Sequence, residues 1–461
     1  MPGDNHLASA EAERILATTG RYYISGGLVR LVEKGGRVVG TERVNEQTLK
    51  NVLAELIDWE RQTRENIWGR CDPFHGVVQT LLYGQDRHHL PHLASIARQP
   101  FFGADGQLVT TPGYDTSSCI YGAFDPGEFW QSAATVEEAG HCLAYLEFLF
   151  DEFEFETECD KAAAICAVLT AAIRPSLRVA PAFSITAPLP GAGKSLLADI
   201  ISLFASPDEP YRISFPTSAE EAGKQLLAVY MEKPAVLLFD DMQTNWKSFG
   251  PLNRALTSPT FTDRVLGSNR TATVDTRVLM LGSGNGVTPE NDMRRRVVTI
   301  RLTPRHETPS LRKFRGNPLA EMKRNRAGGV NAALGIITAH RAAGELDEKV
   351  IPIGSYEEWS AFCREPLIRL GLPDPAQSMI AQLSDDPDKE ALAHFLAVWW
   401  KRISGRSVMV REIVAKAAEY PDLMEAIEDL PCSDGRWINR HKLGQYIAKN
   451  EGRWVDGFRI E

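Results

Sequence analysis

The chain is 461 residues long, enough for two to four domains with cores of their own. Its apolar share of 43% and charged share of 24% are those of an ordinary soluble globular protein. The net charge of −9 excludes a protein that coats nucleic acid with its whole surface, so any nucleic-acid contact must come from a local basic patch. The scattered cysteines form no C-x-x-C pair and no Cys/His cluster of zinc-finger spacing, and their odd number fits reduced thiols in a cytoplasmic protein. No basic-then-apolar signal pattern opens the chain, and no apolar run approaches membrane-spanning length.

In chain order, residues 1–20 read as a short helix or loose arm. Residues 21–39 read as small β-hairpins, with a helix from Glu46 to about Thr63 and another near Gly76–Leu82. The stretch from Leu90 to Tyr121 is dense in turn signals and predicts short strands and loops. Within its approach, His88, His89 and His92 form the one histidine cluster, which reads as a polar turn rather than a metal site because no cysteine lies nearby. Val136–Leu149 is helical in pattern. The acidic run Asp151–Glu156 reads as a solvated linker or helix start. Residues 161–173 are an apolar helix. From there to about residue 345 strands and helices alternate, the signature of a parallel sheet with helices on both faces. Residues 355–400 read as helical. The chain then reads as helical at Val410–Ala418 and Leu423–Asp429, and closes on a helix followed by strand–turn–strand, the layout of a winged helix-turn-helix.

The most informative stretch is Ser184–Leu197: a buried strand, a tight glycine loop and a helix opening at Lys194-Ser195. This is a phosphate-binding layout. Gly191 and Gly193 let backbone N–H groups turn inward around a polyphosphate, and the helix start adds free N–H groups and a positive dipole end. Pro190, Gly191, Ala192, Gly193, Lys194, Ser195 and Leu196 are therefore the candidate ATP-binding residues. Lys194 would reach the β- and γ-phosphates, and Ser195 would hold Mg2+. Pro188 stands where the full motif has its first glycine.

Ala235–Asp241 is an apolar run ending in two carboxylates, either a buried strand with an acidic turn or a strand that delivers both groups beside the glycine loop. In the second reading Asp240 is a Mg2+ residue and Asp241 orients or deprotonates water. A further buried strand, Arg277–Gly286, ends in small residues and Asn285, an amide able both to donate and to accept at a γ-phosphate. Asp292–Ile300 then sets three arginines before an apolar strand. Arg296, with Arg295 next, suits a finger that reaches a phosphate in a neighbouring subunit.

In their order and compact spacing these four elements resemble the AAA+ ATPases, and the short module is similar to the superfamily-three helicases of viruses. It looks closest to the helicase portion of phage and integrative-element primase–helicases. Softer matches are Pro91-His92-Leu93, Gln99-Pro100-Phe101, Pro112–Asp115, Asp263–Gly267, Lys442–Gly444 and Asp456-Gly457. The resemblance implies an AAA+ P-loop core at 151–345, an N-terminal α+β assembly or recruitment domain at 1–150, a helical linker at 346–403 and a winged helix at 404–461. It implies ATP and Mg2+ as cofactors, a homo-oligomer, a hexamer in the first instance, and single-stranded DNA in a central pore. No primase motif is visible, so priming would belong to another replication protein or to a further segment.

Arg264–Val274 reads as strand–turn–strand with Asn269-Arg270 at its tip. On the sequence alone it is equally a surface hairpin, but by resemblance it lines the pore, which makes Arg264, Asn269 and Arg270 candidate DNA contacts. The stretch from Arg294 to Arg326 is markedly basic and suits DNA or subunit contacts. In the terminal region Arg440 and Lys442 suit phosphates of duplex DNA. The function expected is an ATP-dependent DNA helicase or translocase of a phage or mobile element. Two other readings share the motifs: a replication initiator or helicase loader that does not unwind, and an ATP-binding switch or scaffold that hardly turns over.

Overall fold

The computed structural model describes residues 5–63, 65–84, 89–130, 135–267, 270–305, 316–344, 346, 350–384, 387–430 and 438–461. The chain divides into two compact units, Met1–Met379 and Ile380–Glu461. Among the described residues no helix is long and apolar enough to cross a membrane.

The first unit begins with α1 (Asn5–Thr18) and an antiparallel sheet of β1 (Tyr22–Ile24), β2 (Leu28–Lys34) and β3 (Arg37–Arg43). Gly35 and Gly36 both take positive φ at the β2–β3 turn, a conformation that suits residues without a Cβ. α2 (Glu46–Leu56) is capped by Asn45, whose side chain accepts from the Thr48 amide. It stops well short of Thr63. Ile57 is extended, and Leu53 O at the helix end accepts both from the Ile57 amide at 3.0 Å and from the buried Trp59 indole at 2.9 Å. The chain turns there into the ribbon β4 (Glu60–Gln62) and β5 (Trp68–Arg70), followed by α3 (His75–Tyr83). The turn-rich region holds β6 (Ser95–Ala97), β7 (Phe101–Phe102), β8 (Leu108–Val109), β9 (Gly113–Asp115) and β10 (Ile120–Gly122). His88 lies outside the described residues. His92 bonds Asp275 at 2.9 Å, and no described cluster of His, Cys, Asp or Glu could hold a metal ion.

α4 (Val136–Leu149) opens on a Thr135–Glu138 capping box. The acidic run after it is not a solvated linker. Phe153 is buried, and Phe155 bridges Leu302, so the run joins the edge of the main sheet. Its alternate aromatic residues supply the apolar surface that its charges concealed in the sequence.

The main sheet is mixed α/β in setting and all parallel. Its strands are β11 (Ala182–Ala187), β12 (Tyr211–Ile213), β13 (Val236–Met242), β16 (Leu279–Asn285) and β17 (Val297–Arg301), in the order β12-β13-β16-β11-β17. Successive side chains point to opposite faces. Ile185, Leu238, Leu281, Val298 and Ile300 join the core built around α5 (Glu158–Ile173), α6 (Lys194–Ala205), α9 (Pro318–Arg324) and α10 (Arg326–Ala342). Leu237, Phe239, Met280 and Val297 join the other core, under α7 (Ala219–Glu232), α8 (Gly250–Thr257) and the hairpin β14 (Thr260–Arg264) and β15 (Thr271–Asp275). α5 is buried on every side from Ala162 to Ile173, as its uniformly apolar sequence demands.

The expected helical stretch after residue 355 is broken. α11 (Glu357–Trp359) passes through a π-helical turn into α12 (Glu365–Arg369), and Gly371 and Pro373 separate it from α13 (Gln377–Ser384). In the second unit α14 (Pro387–Ile403), α15 (Val410–Glu419), α16 (Pro421–Glu428) and α17 (Arg440–Lys449) precede a small hairpin, β18 (Trp454–Val455) and β19 (Phe458–Arg459). Phe395, Ile413, Leu423, Ile427, Leu443 and Val455 form its core.

Candidate nucleotide site

Because β16 lies between β11 and β13, the carboxyl ends of three strands meet at one edge of the sheet. Ala187, the last residue of β11, is in register with Asn285, the last of β16. From Ala187 the chain runs through exposed Pro188, Leu189, Pro190 and Gly191 to partly buried Ala192 and Gly193. Gly191 and Gly193 have φ of +78° and +91°, so both glycines stand where the loop needs them. Gly193 caps α6, whose first residues are Lys194 and Ser195, with Leu196 half-buried behind them. The buried ring of Phe153 backs the loop, in van der Waals reach of where a Cβ on Gly193 would stand.

Lys194 Nζ donates to Asn285 Oδ1 at 2.6 Å and reaches toward Leu189 O at 3.5 Å. Burial lowers the pKa of its ammonium below the usual lysine value, against the opposing pull of Asp241. Asp240 is saturated with donors. Its Oδ1 accepts from Ser283 Oγ at 2.7 Å, from Ser195 Oγ at 3.3 Å and from the Asp241 amide at 3.1 Å. Its Oδ2 accepts from Arg212 Nη1 at 2.6 Å, and the other arm of Arg212 pairs with Asp199 on α6. Burial alone would raise the Asp240 carboxyl, but Ser283 and Arg212 outweigh it and hold the group below the ordinary aspartate value. The β13–β16 register shifts between Phe239 and Met242, and Asp241 takes a φ of +49°. This bulge sends consecutive aspartates in different directions, Asp240 into the network and Asp241 toward solvent. Five of the sequence-derived residues, Lys194, Ser195, Asp240, Asp241 and Asn285, thus share one strand edge.

Arg295 and Arg296 differ from each other. Arg296 is buried, with Nη1 on Asp292 O at 2.5 Å, whereas Arg295 is exposed and pairs with Asp292 at 3.0 Å. Among the described residues of the basic stretch that begins here, several side chains are already paired. Arg326 is half-buried and bonds Leu203 O and Gln99, Arg301 faces Asp160 and Glu156, and Arg324 pairs with Glu321. Arg312, Lys313 and Arg315 lie outside the described residues.

Arg264 is exposed at the end of β14, and Arg270 is exposed at the start of the returning strand. Asn269 lies outside the described residues. In the second unit Arg440 and Lys442 are exposed in the first turn of α17, where Asn439 accepts from the amides of His441 and Lys442.

Ser283, Arg212, Asp199 and Phe153 are absent from the sequence-derived site. Ser283 sits two residues before Asn285 and carried a local signal as the one hydroxyl in a strand tip of small residues. Asp199 lies one turn beyond Ser195 on α6, while Arg212 comes from the edge strand β12 and Phe153 from the segment before α5.

No protein-family model matches the chain, and no curated protein matches it. Among solved structures it is similar to the NrS-1 C-terminal region in its apo A form, with 12% identity and a TM-score of 0.35, over 92% of this chain and 91% of that one. It is also similar to the JCV helicase, with 13% identity and a TM-score of 0.23, over 57% and 72%. An inhibitor-bound form of that helicase gives 12%, 0.21, 57% and 71%.

Proposed function

We propose that this chain is an ATP hydrolase of the AAA+ type, working in a ring, as a hexamer, to move along or unwind DNA. The observation that carries the reading is the convergence of Lys194, Ser195, Asp240 and Asn285 on one sheet edge around a loop with two positive-φ glycines. Lys194 and Asn285, now bonded to each other, bracket the place for a terminal phosphate, the lysine as a cation and the amide as donor or acceptor. Backbone amides of Pro190–Leu196 that are not taken by proline are the cradle for the other phosphates.

Ser195 and Asp240 offer a hydroxyl and a carboxylate 3.3 Å apart, the hard oxygen donors that Mg2+ takes. When bound there, the ion would neutralise charge on the β- and γ-oxygens. Asp241, turned out of the carboxylate network by the bulge, would orient the attacking water and accept its proton. Arg295 is the better finger toward a neighbouring subunit, because the Arg296 guanidinium is buried at the start of β17.

The hairpin with Arg264 and Arg270 would grip single-stranded DNA. The three helices and hairpin of α15–α17 and β18–β19 would act as a winged helix, with Arg440 and Lys442 on duplex phosphates. Residues 1–150 would serve assembly or recruitment, and the partner could include a separate primase.

The test is ATP-dependent strand displacement on forked DNA with a 3′ or a 5′ tail, comparing the natural chain with Lys194→Ala. Unwinding lost in Lys194→Ala establishes the motor. ATP hydrolysis stimulated by DNA without unwinding overturns it in favour of a loader or initiator. Slow hydrolysis unchanged by Asp241→Asn points to a switch or scaffold.

A further inference from the structure

α3 buries Val77, Val78, Leu81 and Leu82 in the core of its region, yet its last residue, Tyr83, is 49% exposed. The core does not use this ring. It is contacted instead by Arg270 of the β14–β15 hairpin, whose Cζ lies 3.6 Å from the ring centroid. That is the spacing of a guanidinium stacked on an aromatic face. Beside this pair the hairpin turn carries Leu266, 79% exposed, and the outward face of the hairpin carries Arg264 with the bonded hydroxyls of Thr262 and Thr273. A protein of net charge −9 thus places two arginines, a stacked flat pair and an exposed apolar side chain at one hairpin end.

Unpaired nucleobases stack on aromatic and guanidinium planes whatever their sequence, while the cations answer the phosphodiester charge. A duplex offers no free base face along its length, and an acidic peptide has no use for the plane. We propose that Tyr83 is a single-stranded DNA contact, forming with Arg270 a stacking platform for an unpaired base at the hairpin end. This rests on the reading of the β14–β15 hairpin as the DNA-gripping element and adds to it a residue from a helix far away in sequence.

The test is fluorescence anisotropy of a labelled oligothymidylate with the full chain over a series of salt concentrations. Tyr83→Leu should weaken binding about tenfold, toward the lower end of what one lost base–aromatic stack costs. Its salt slope should not change, because no charge is removed. Tyr83→Phe should bind within about twofold of the natural chain, and Tyr83→Trp as well or better, which a damaged fold could not produce. The Arg264→Ala/Arg270→Ala double variant should lower the salt slope by about 1.4. Natural affinity in Tyr83→Leu, or tighter binding, would overturn the inference and leave the Tyr83–Arg270 pair as a latch. If the double arginine variant also binds normally, the hairpin reading fails with it. If that variant alone loses binding, only the role of Tyr83 fails.

Discussion

Replacing Gln99 by methionine probes how the N-terminal segment holds the helix that carries Lys194 and Ser195. Gln99 is completely buried. Its Nε2 donates to Ala172 O at 2.8 Å and to Phe204 O at 2.9 Å, and its Oε1 accepts from Arg326 Nη2 at 2.5 Å. Both carbonyls lie in the last turns of α5 and α6, where no donor within the helix remains for them. Methionine keeps the length of the side chain and removes all three bonds. Two neutral bonds at about 1 kcal/mol each and one to a charged group at about 2 kcal/mol give a loss of about 4 kcal/mol, close to a thousandfold in the local folding equilibrium. Arg326 keeps its bond to Leu203 O at 2.7 Å, which limits the damage to the Gln99 contacts themselves. Urea unfolding followed by tryptophan fluorescence should show the transition of the first unit at a clearly lower midpoint. A loss under about 1 kcal/mol would refute the view that Gln99 ties the two helix ends together.

Three further outcomes follow from single contacts. Gly282→Ala would drive a Cβ into the buried ring of Trp246 and the Met242 thioether, and should destabilise the first unit by about 1–3 kcal/mol, read as a lower thermal midpoint. Arg212→Met leaves Asp240 opposed by burial with only Ser283, Ser195 and the Asp241 amide to hold its charge, so the carboxyl rises and, on the proposed function, the acid limb of ATP hydrolysis moves to higher pH; an unmoved limb would exclude Asp240 as the group that sets it. His340 is held down to about 4, first by burial and then by Arg369 and Arg341, and its Nδ1 accepts from Arg369 at 2.9 Å. The unfolded chain takes up that proton below about 6.5, so stability should fall as pH drops from 6.5 toward 4, and His340→Gln should flatten this part of the acid unfolding curve.

The parts of the site legible in the sequence are those whose chemistry and geometry are both local. A strand, two glycines and a Lys-Ser helix start specify their own conformation, and the observed φ values sit at those glycines. Asp240 and Asn285 were legible as polar ends of apolar runs, because a buried strand must release its polar residues where it leaves the core. Arg212 was not. It lies in the three-residue edge strand Tyr211–Ile213 and meets Asp240 only because β12 pairs with β13. The difference between Arg295 and Arg296 was equally hidden, since neighbouring residues of one charge carry no mark of which will be buried. The end of α2 at Leu56 carried no glycine or proline to mark it; the chain simply turns extended at Ile57.

By itself, then, the sequence determined the parallel α/β alternation and the strand–glycine loop–helix at Ser184–Leu197, because period, glycine placement and helix starts are written in adjacent residues. The tertiary structure decided which distant groups complete them. Strand order put Asn285 between Lys194 and the aspartates and brought Arg212 to Asp240, and the packing of the β14–β15 hairpin near α3 laid Arg270 on Tyr83. These contacts join elements whose separation along the chain carries no periodic or compositional signal.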